Sequence, residues 1–180
     1  MTQTADRIDP PLHADEATTV RAFLAYQRDT FRWKTAGLTR EQLATRLPSS
    51  EMTLGGMMKH LALVESSWFS EDLLGQPLIA PFDGVDWSVD RDWEWHSAAD
   101  DSPEELRALF DASAAASDRI IDEAIVSGDG LDTLSVVEAR RPGLGRFSLR
   151  WILLHMIEEY ARHNGHADLI RESIDGLTGE

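Results

Sequence analysis

The sequence predicts an all-α protein, an up-down bundle of four long helices with short additional helices and a long Trp-rich connection. Apolar residues recur at intervals of three and four along four separate segments, the spacing that gives a helix one buried face, while strand-like alternation appears nowhere at length. Capping residues and glycines bracket those segments, as helix ends require. A chain of 180 residues fits one domain and buries roughly two thirds of its extended surface on folding.

Residues 1–14, with "DPP" at 9–11, read as a flexible N-terminal arm ahead of a single four-helix domain over 15–176. Val20, Phe23, Leu24, Gln27 and Phe31 put a mostly apolar stripe on a helix of about 16–36, ended by Gly37. Thr39 and Gln42 have the spacing of a capping box, and the short helix they start stops before Pro48. Thr53 caps the next helix, 53–74, whose stripe of Leu54, Met57, Met58, Leu61, Val64, Trp68, Leu73 and Leu74 carries His60 and closes at Gly75. Within it, Gly55 and Gly56 would let a neighbouring backbone come close. Residues 76–101 form the long connection, with Trp87, Trp93 and Trp95 serving as a pocket wall or as a packed cover over the bundle end. Ser102, Pro103 and Glu105 are the clearest helix start in the chain, and Leu106, Leu109, Phe110, Ile120, Ile121 and Ala124 carry that helix to about 126. Glycines then break the pattern around a short extended piece at 134–139, and Ser148 caps a last helix from Leu149 to about Ile174, ended by Gly176.

Composition excludes several kinds of function. With no cysteine, neither a disulfide scaffold nor a thiolate metal site is available, so any metal is held by nitrogen and oxygen. The 32 acidic and 17 basic residues leave a formal charge of −15, a field that repels a phosphate backbone and argues against nucleic acid as a partner. The one dense basic patch, "EARRPGLGR", is short and broken by glycine and proline. Neither a basic start followed by an apolar run nor an uninterrupted apolar stretch of ~18 residues is present, so a cytoplasmic protein without a membrane partner is expected.

The stretch "HMIEEYARHNGHADLIRE", residues 155–172, gathers three histidines on one predicted helix. Successive residues turn by about 100°, so His155, Glu159 and His163 at i, i+4 and i+8 stand one turn above another, with His166 close to the same stripe. Two donors on adjacent turns make half a metal site, and His60 is the obvious recruit from another helix. A His, His, Glu set with one open position suits zinc, and also nickel, manganese or iron. The same residues have plainer readings: His60 as a core-edge histidine with one hydrogen bond, Glu159 and His163 as a wet helix face. His13 and His96 fall in predicted loops and read as solvated.

Taken together, "TLGGMMKHLALVESSWF" and "LRWILLHMIEEYARHNGHADLIRE" resemble the DinB-like superfamily of four-helix metalloproteins, in particular the actinobacterial branch related to mycothiol-dependent maleylpyruvate isomerase and mycothiol transferases. The likeness runs from about residue 16 to 176. It implies a metal site of His60, Glu159 and His163, selecting Glu159 over His155, a choice that spacing leaves open. In most of the superfamily a histidine fills the position of Glu159; the glutamate matches the isomerase-like branch. His166 and His155 are not implied as ligands.

The resemblance further implies a divalent metal, zinc first, and mycothiol as co-substrate. The partners would then be a small thiol and a small-molecule electrophile, and the reaction a thiol-dependent transfer or isomerisation. A non-catalytic metal-binding or stress-related protein and a metal-dependent hydrolase are the alternatives. Glu158 is the candidate to orient a ligand or shuttle a proton, against its reading as a solvated carboxylate. Arg150 and Arg162 are candidate anchors for a carboxylate or for the sugar hydroxyls of the thiol, against surface pairing. The tryptophans of the connection also offer a subunit contact, through which a homodimer would form.

Overall fold

A computed structural model describes residues 7–178. Its long helices are α1 (Glu16–Thr35), α3 (Leu54–Glu65), which continues as a π-helical segment (Ser66–Leu73), α5 (Pro103–Ser127) and α6 (Leu149–Asp175). Short helices α2 (Arg40–Leu43) and α4 (Trp93–Ser97) lie between them, with one hairpin of β1 (Leu134–Glu138) and β2 (Arg146–Ser148). The all-α expectation holds, the hairpin being the only sheet among the described residues. No helix there is long and apolar enough to cross a membrane. Among the described residues two compact units are formed, one of residues 7–54 with 153–178 and one of residues 55–152.

In the first unit, Asp15 caps α1 by accepting from the Thr18 amide at 2.8 Å. Thr39 and Gln42 form the predicted reciprocal capping box on α2. Leu24, Phe31, Leu38 and Leu43 are buried, as are Met156, Tyr160, Ala167 and Ile170 of α6. Polar side chains set the register of α6 on α1. Asn164 donates to the Gln27 carbonyl at 3.0 Å and to its side-chain oxygen at 2.7 Å. Arg171 donates to the carbonyls of Lys34 and Ala36 at 3.0 and 2.8 Å, satisfying groups that the end of α1 leaves without helical partners. Of the predicted arm, residues 1–6 lie outside the described residues, and Arg7 stacks over Trp33 at 4.6 Å while donating to the Thr30 hydroxyl at 3.2 Å.

In the second unit, Ser102 and Glu105 close a reciprocal capping box with Pro103 in the first turn of α5. The predicted α-helix over 53–74 changes to π geometry from Ser66 onward. Hydroxyls of that segment take up the chain that follows: Ser66 accepts from the Ile79 amide and Ser70 donates to the Pro77 carbonyl, both at 2.8 Å. A cavity of about 290 Å³ lies beside it, with a mixed lining that includes Ser66, Ser70, Ser113 and Ser117 together with Phe69 and Ile120. The extended piece predicted at 134–139 is β1, paired antiparallel with β2 through an irregularity between Leu134 and Glu138. There Ser135 stands in for the backbone, its hydroxyl donating to the Val137 carbonyl and accepting from the Phe147 amide. Trp68, Phe147 and Trp151 cluster with ring centroids 4.6 to 5.3 Å apart.

Gly75 is fixed twice, by its φ of +65° and by the methyl of Val136 standing 2.8 Å from where a β-carbon would be. Gly75→Ala is therefore expected to destabilise the protein by roughly 1–3 kcal/mol in urea denaturation. A second test concerns Asp175, whose carboxyl is held below the ordinary carboxylate range by its hydrogen bonds to Arg171. A depressed carboxyl contributes stability above its unfolded pKa of about 3.9 and loses it as pH falls through the folded value. Asp175→Asn should thus be less stable than wild type at pH 7, and the two unfolding curves should converge in the acid range below pH 4.

Candidate metal centre

Helix α6 carries Glu159 and His163 one turn apart. The side chain of His163 is 9% exposed and that of Glu159 16%, and His163 Nε2 lies 3.2 Å from Glu159 Oε1. Two ligands of a tetrahedral ion bound at 2.0–2.2 Å stand about 3.4 Å apart, so this spacing suits a pair sharing one ion. Their burial follows from the stripe they share. Leu149, Ile152, Leu153, Met156 and Tyr160 are fully buried, whereas Trp151 and Leu154 are about half exposed. The apolar run 151–157 is thus only partly core.

Other residues singled out from the sequence on this helix have different surroundings. Glu158 is half exposed, paired with Arg162 one turn on and 3.3 Å from His155 Nδ1. Arg150 pairs with Asp132. His166 meets the His163 ring edge to face at 5.7 Å. Burial foremost, with His163 and Arg162 adding to it, holds the His166 imidazole below its ordinary pKa. Its Nδ1 is buried without a hydrogen-bond partner.

On α3, His60 meets the long connection. Its Nδ1 lies 3.0 Å from Glu94 Oε1, with side-chain exposures of 21% and 6%, and Trp95 stacks on its ring at 4.8 Å. The preceding residue, Lys59, is buried, paired with Asp101 at 2.6 Å and capped by the Trp93 ring at 4.4 Å. Trp93 also meets Phe82 and Trp87 edge to face. The tryptophans of the connection accordingly pack on α3 and on one another. His96, predicted to be a solvated loop residue, is exposed but belongs to α4 and pairs with Asp90 at 2.9 Å, a contact that raises its pKa.

One ligand atom from each of His60, Glu159 and His163 lies within 4.8 Å of the others, which makes these three a group able to hold a metal ion. His155, Glu158 and His166 are not part of it. The donor set is two imidazole nitrogens and a carboxylate oxygen, fitting a divalent transition ion with a coordination position to spare.

Comparison with known proteins adds a family. The model of the mycothiol-S-transferases matches residues 19–176. This chain belongs to the mycothiol-S-transferase family. No curated protein matches it. The match spans both motif segments on which the DinB-like resemblance rests, and takes in three of the long helices whole and all but the first three residues of α1 in this mycothiol-S-transferase family member.

Reading the sequence did not find Glu94, the buried acid against His60 in this family member. A carboxylate between two tryptophans was the available signal, since a charged residue flanked by large rings is either exposed or partnered.

Proposed function

We propose that the protein is a metal-dependent S-transferase that takes mycothiol as its thiol and a small electrophile as its second substrate. What supports this reading above all is the grouping of His60, Glu159 and His163 in a chain of this family. Zinc is the ion the nitrogen and oxygen donors suit first. Bound there, a divalent ion would lower the pKa of a thiol in the open position and so make a thiolate nucleophile available at neutral pH.

The chain's own residues supply the rest. With no cysteine among 180 residues, the attacking sulfur comes from the co-substrate. Glu159 contributes the one negative charge among the three ligands, offsetting part of the ion's charge. Trp93 and Trp95, packed on Lys59 and His60, keep water from one side of His60. Arg150 and Arg162 are the anchors proposed for the anionic and hydroxyl groups of the thiol. Each already holds a carboxylate, Asp132 or Glu158, and exchanges that partner on binding. Glu158, released from Arg162, is then positioned to accept a proton in the exposed part of the site.

Metal analysis of protein dialysed against zinc should find one ion per chain in wild type and none retained by His60→Ala or His163→Ala, with helical circular dichroism unchanged. Loss of the helical signal together with the metal would make the ion structural instead of catalytic. Substrate consumption should require both ion and thiol. Glu159→Gln should lower it by more than about 100-fold at saturating thiol, beyond the 10–100-fold that outer-sphere partners cost, and Glu158→Gln by far less. Turnover that needs metal and ignores mycothiol, bacillithiol and glutathione alike would refute the transferase reading and favour hydrolysis.

A further inference from the structure

We infer that Glu94 is a positioning residue for His60: its carboxylate holds the imidazole as the tautomer protonated on Nδ1, leaving the Nε2 lone pair for a metal ion and placing a negative charge behind the ligating ring. This inference rests on the proposed metal centre and adds to it a residue outside the three ligands.

The geometry begins with the 3.0 Å separation of His60 Nδ1 and Glu94 Oε1. An ionised carboxylate only accepts hydrogen bonds, so a nitrogen at this distance is the one that carries hydrogen. A neutral imidazole has a single N–H, and assigning it to Nδ1 makes Nε2 the unprotonated nitrogen. Ring orientation is fixed as well, because Trp95 lies against the imidazole with planes 28° apart. The backbone that presents Glu94 is clamped on the other side by Trp93 over the Lys59 ammonium, itself tied to Asp101. Consecutive residues Trp93, Glu94 and Trp95 thus contact consecutive residues Lys59 and His60, and turning the His60 ring breaks both its hydrogen bond to Glu94 and its stacking on Trp95.

Packing alone does not explain an acid at this place. Glu94 is 5% exposed, and its second oxygen, Oε2, is buried with no hydrogen-bond partner. An incompletely satisfied buried carboxylate is costly. A glutamine would accept from Nδ1–H equally well and bring no charge into the interior. A full negative charge kept out of water is offset when a cation binds on the far side of the same ring, where it makes the imidazole a stronger donor. Carboxylate–histidine pairs of this kind accompany metal-bound histidines generally.

The test compares wild type, Glu94→Gln and Glu94→Ala. Long-range ¹⁵N–¹H spectra of the His60 ring in metal-free protein report the tautomer, and competition with a chromophoric chelator reports zinc affinity per folded molecule. Wild type should show the Nδ1–H form. Glu94→Gln should keep that form and bind zinc about tenfold more weakly, and Glu94→Ala should lose the tautomer preference and fall towards 100-fold, the range for such outer partners. If the alanine variant does not fold, the glutamine variant, of the same shape, carries the comparison. His60 protonated on Nε2 in metal-free wild type, or zinc affinity within twofold of wild type in the folded variants, would overturn the role of Glu94 alone. Wild type that takes up no zinc would overturn the metal centre and this role together.

Discussion

Helix α6 buries polar side chains in its apolar stripe, and the place of the candidate site follows from how they are satisfied. His163, Asn164 and Arg171 are each less than a tenth exposed, on the stripe that also holds Met156, Tyr160, Ala167 and Ile170. A purely apolar stripe could slide by a turn against a neighbouring helix at modest cost. Asn164 can reach Gln27, and Arg171 the carbonyls closing α1, in one register only. Any other register strands buried donors, at about 1–3 kcal/mol for each group and more for a charged one. Glu159 and His163 are therefore set in place by the hydrogen bonds of Asn164 and Arg171, which follow them on the same helix, and not by the ion they are proposed to hold.

His60 depends on a different device. The connection that follows the π-helical segment contains little regular structure, and it is organised by aromatic contacts centred on Trp93. Two of its side chains hold His60 directly, Glu94 by a hydrogen bond and Trp95 by stacking. Long segments of this kind are uncommon in compact proteins unless they serve a site. Here the segment brings to His60 a charge and a flat apolar surface that α3 by itself lacks.

Much of this was legible in the sequence. The four long helices follow from periodicity, and both capping boxes, at Thr39 and Ser102, follow from residue identity at fixed spacing. The spacing of Glu159 and His163 already put them on one face, and their 3.2 Å approach agrees; the preference for Glu159 over His155 came from resemblance. What escaped was decided by contacts distant in sequence. The π geometry from Ser66 cannot be told from α over two turns of apolar spacing, and it accompanies hydroxyl bonds to residues 77 and 79. Glu94 lies 34 residues from His60, with no local pattern joining them. The tryptophans were equally consistent with wall or cover, because a side chain's neighbours on another element are not encoded in its own segment.

The central claim is that His60, Glu159 and His163 are ligands of a single ion. Anomalous diffraction at the zinc edge, from crystals grown with zinc, addresses it without relying on activity or on an identified electrophile. The account predicts one strong peak bonded to the two histidine nitrogens and the Glu159 carboxylate at about 2.0–2.2 Å. A peak elsewhere on the protein, or one bonded to His155, Glu158 or His166 in place of these residues, would contradict it.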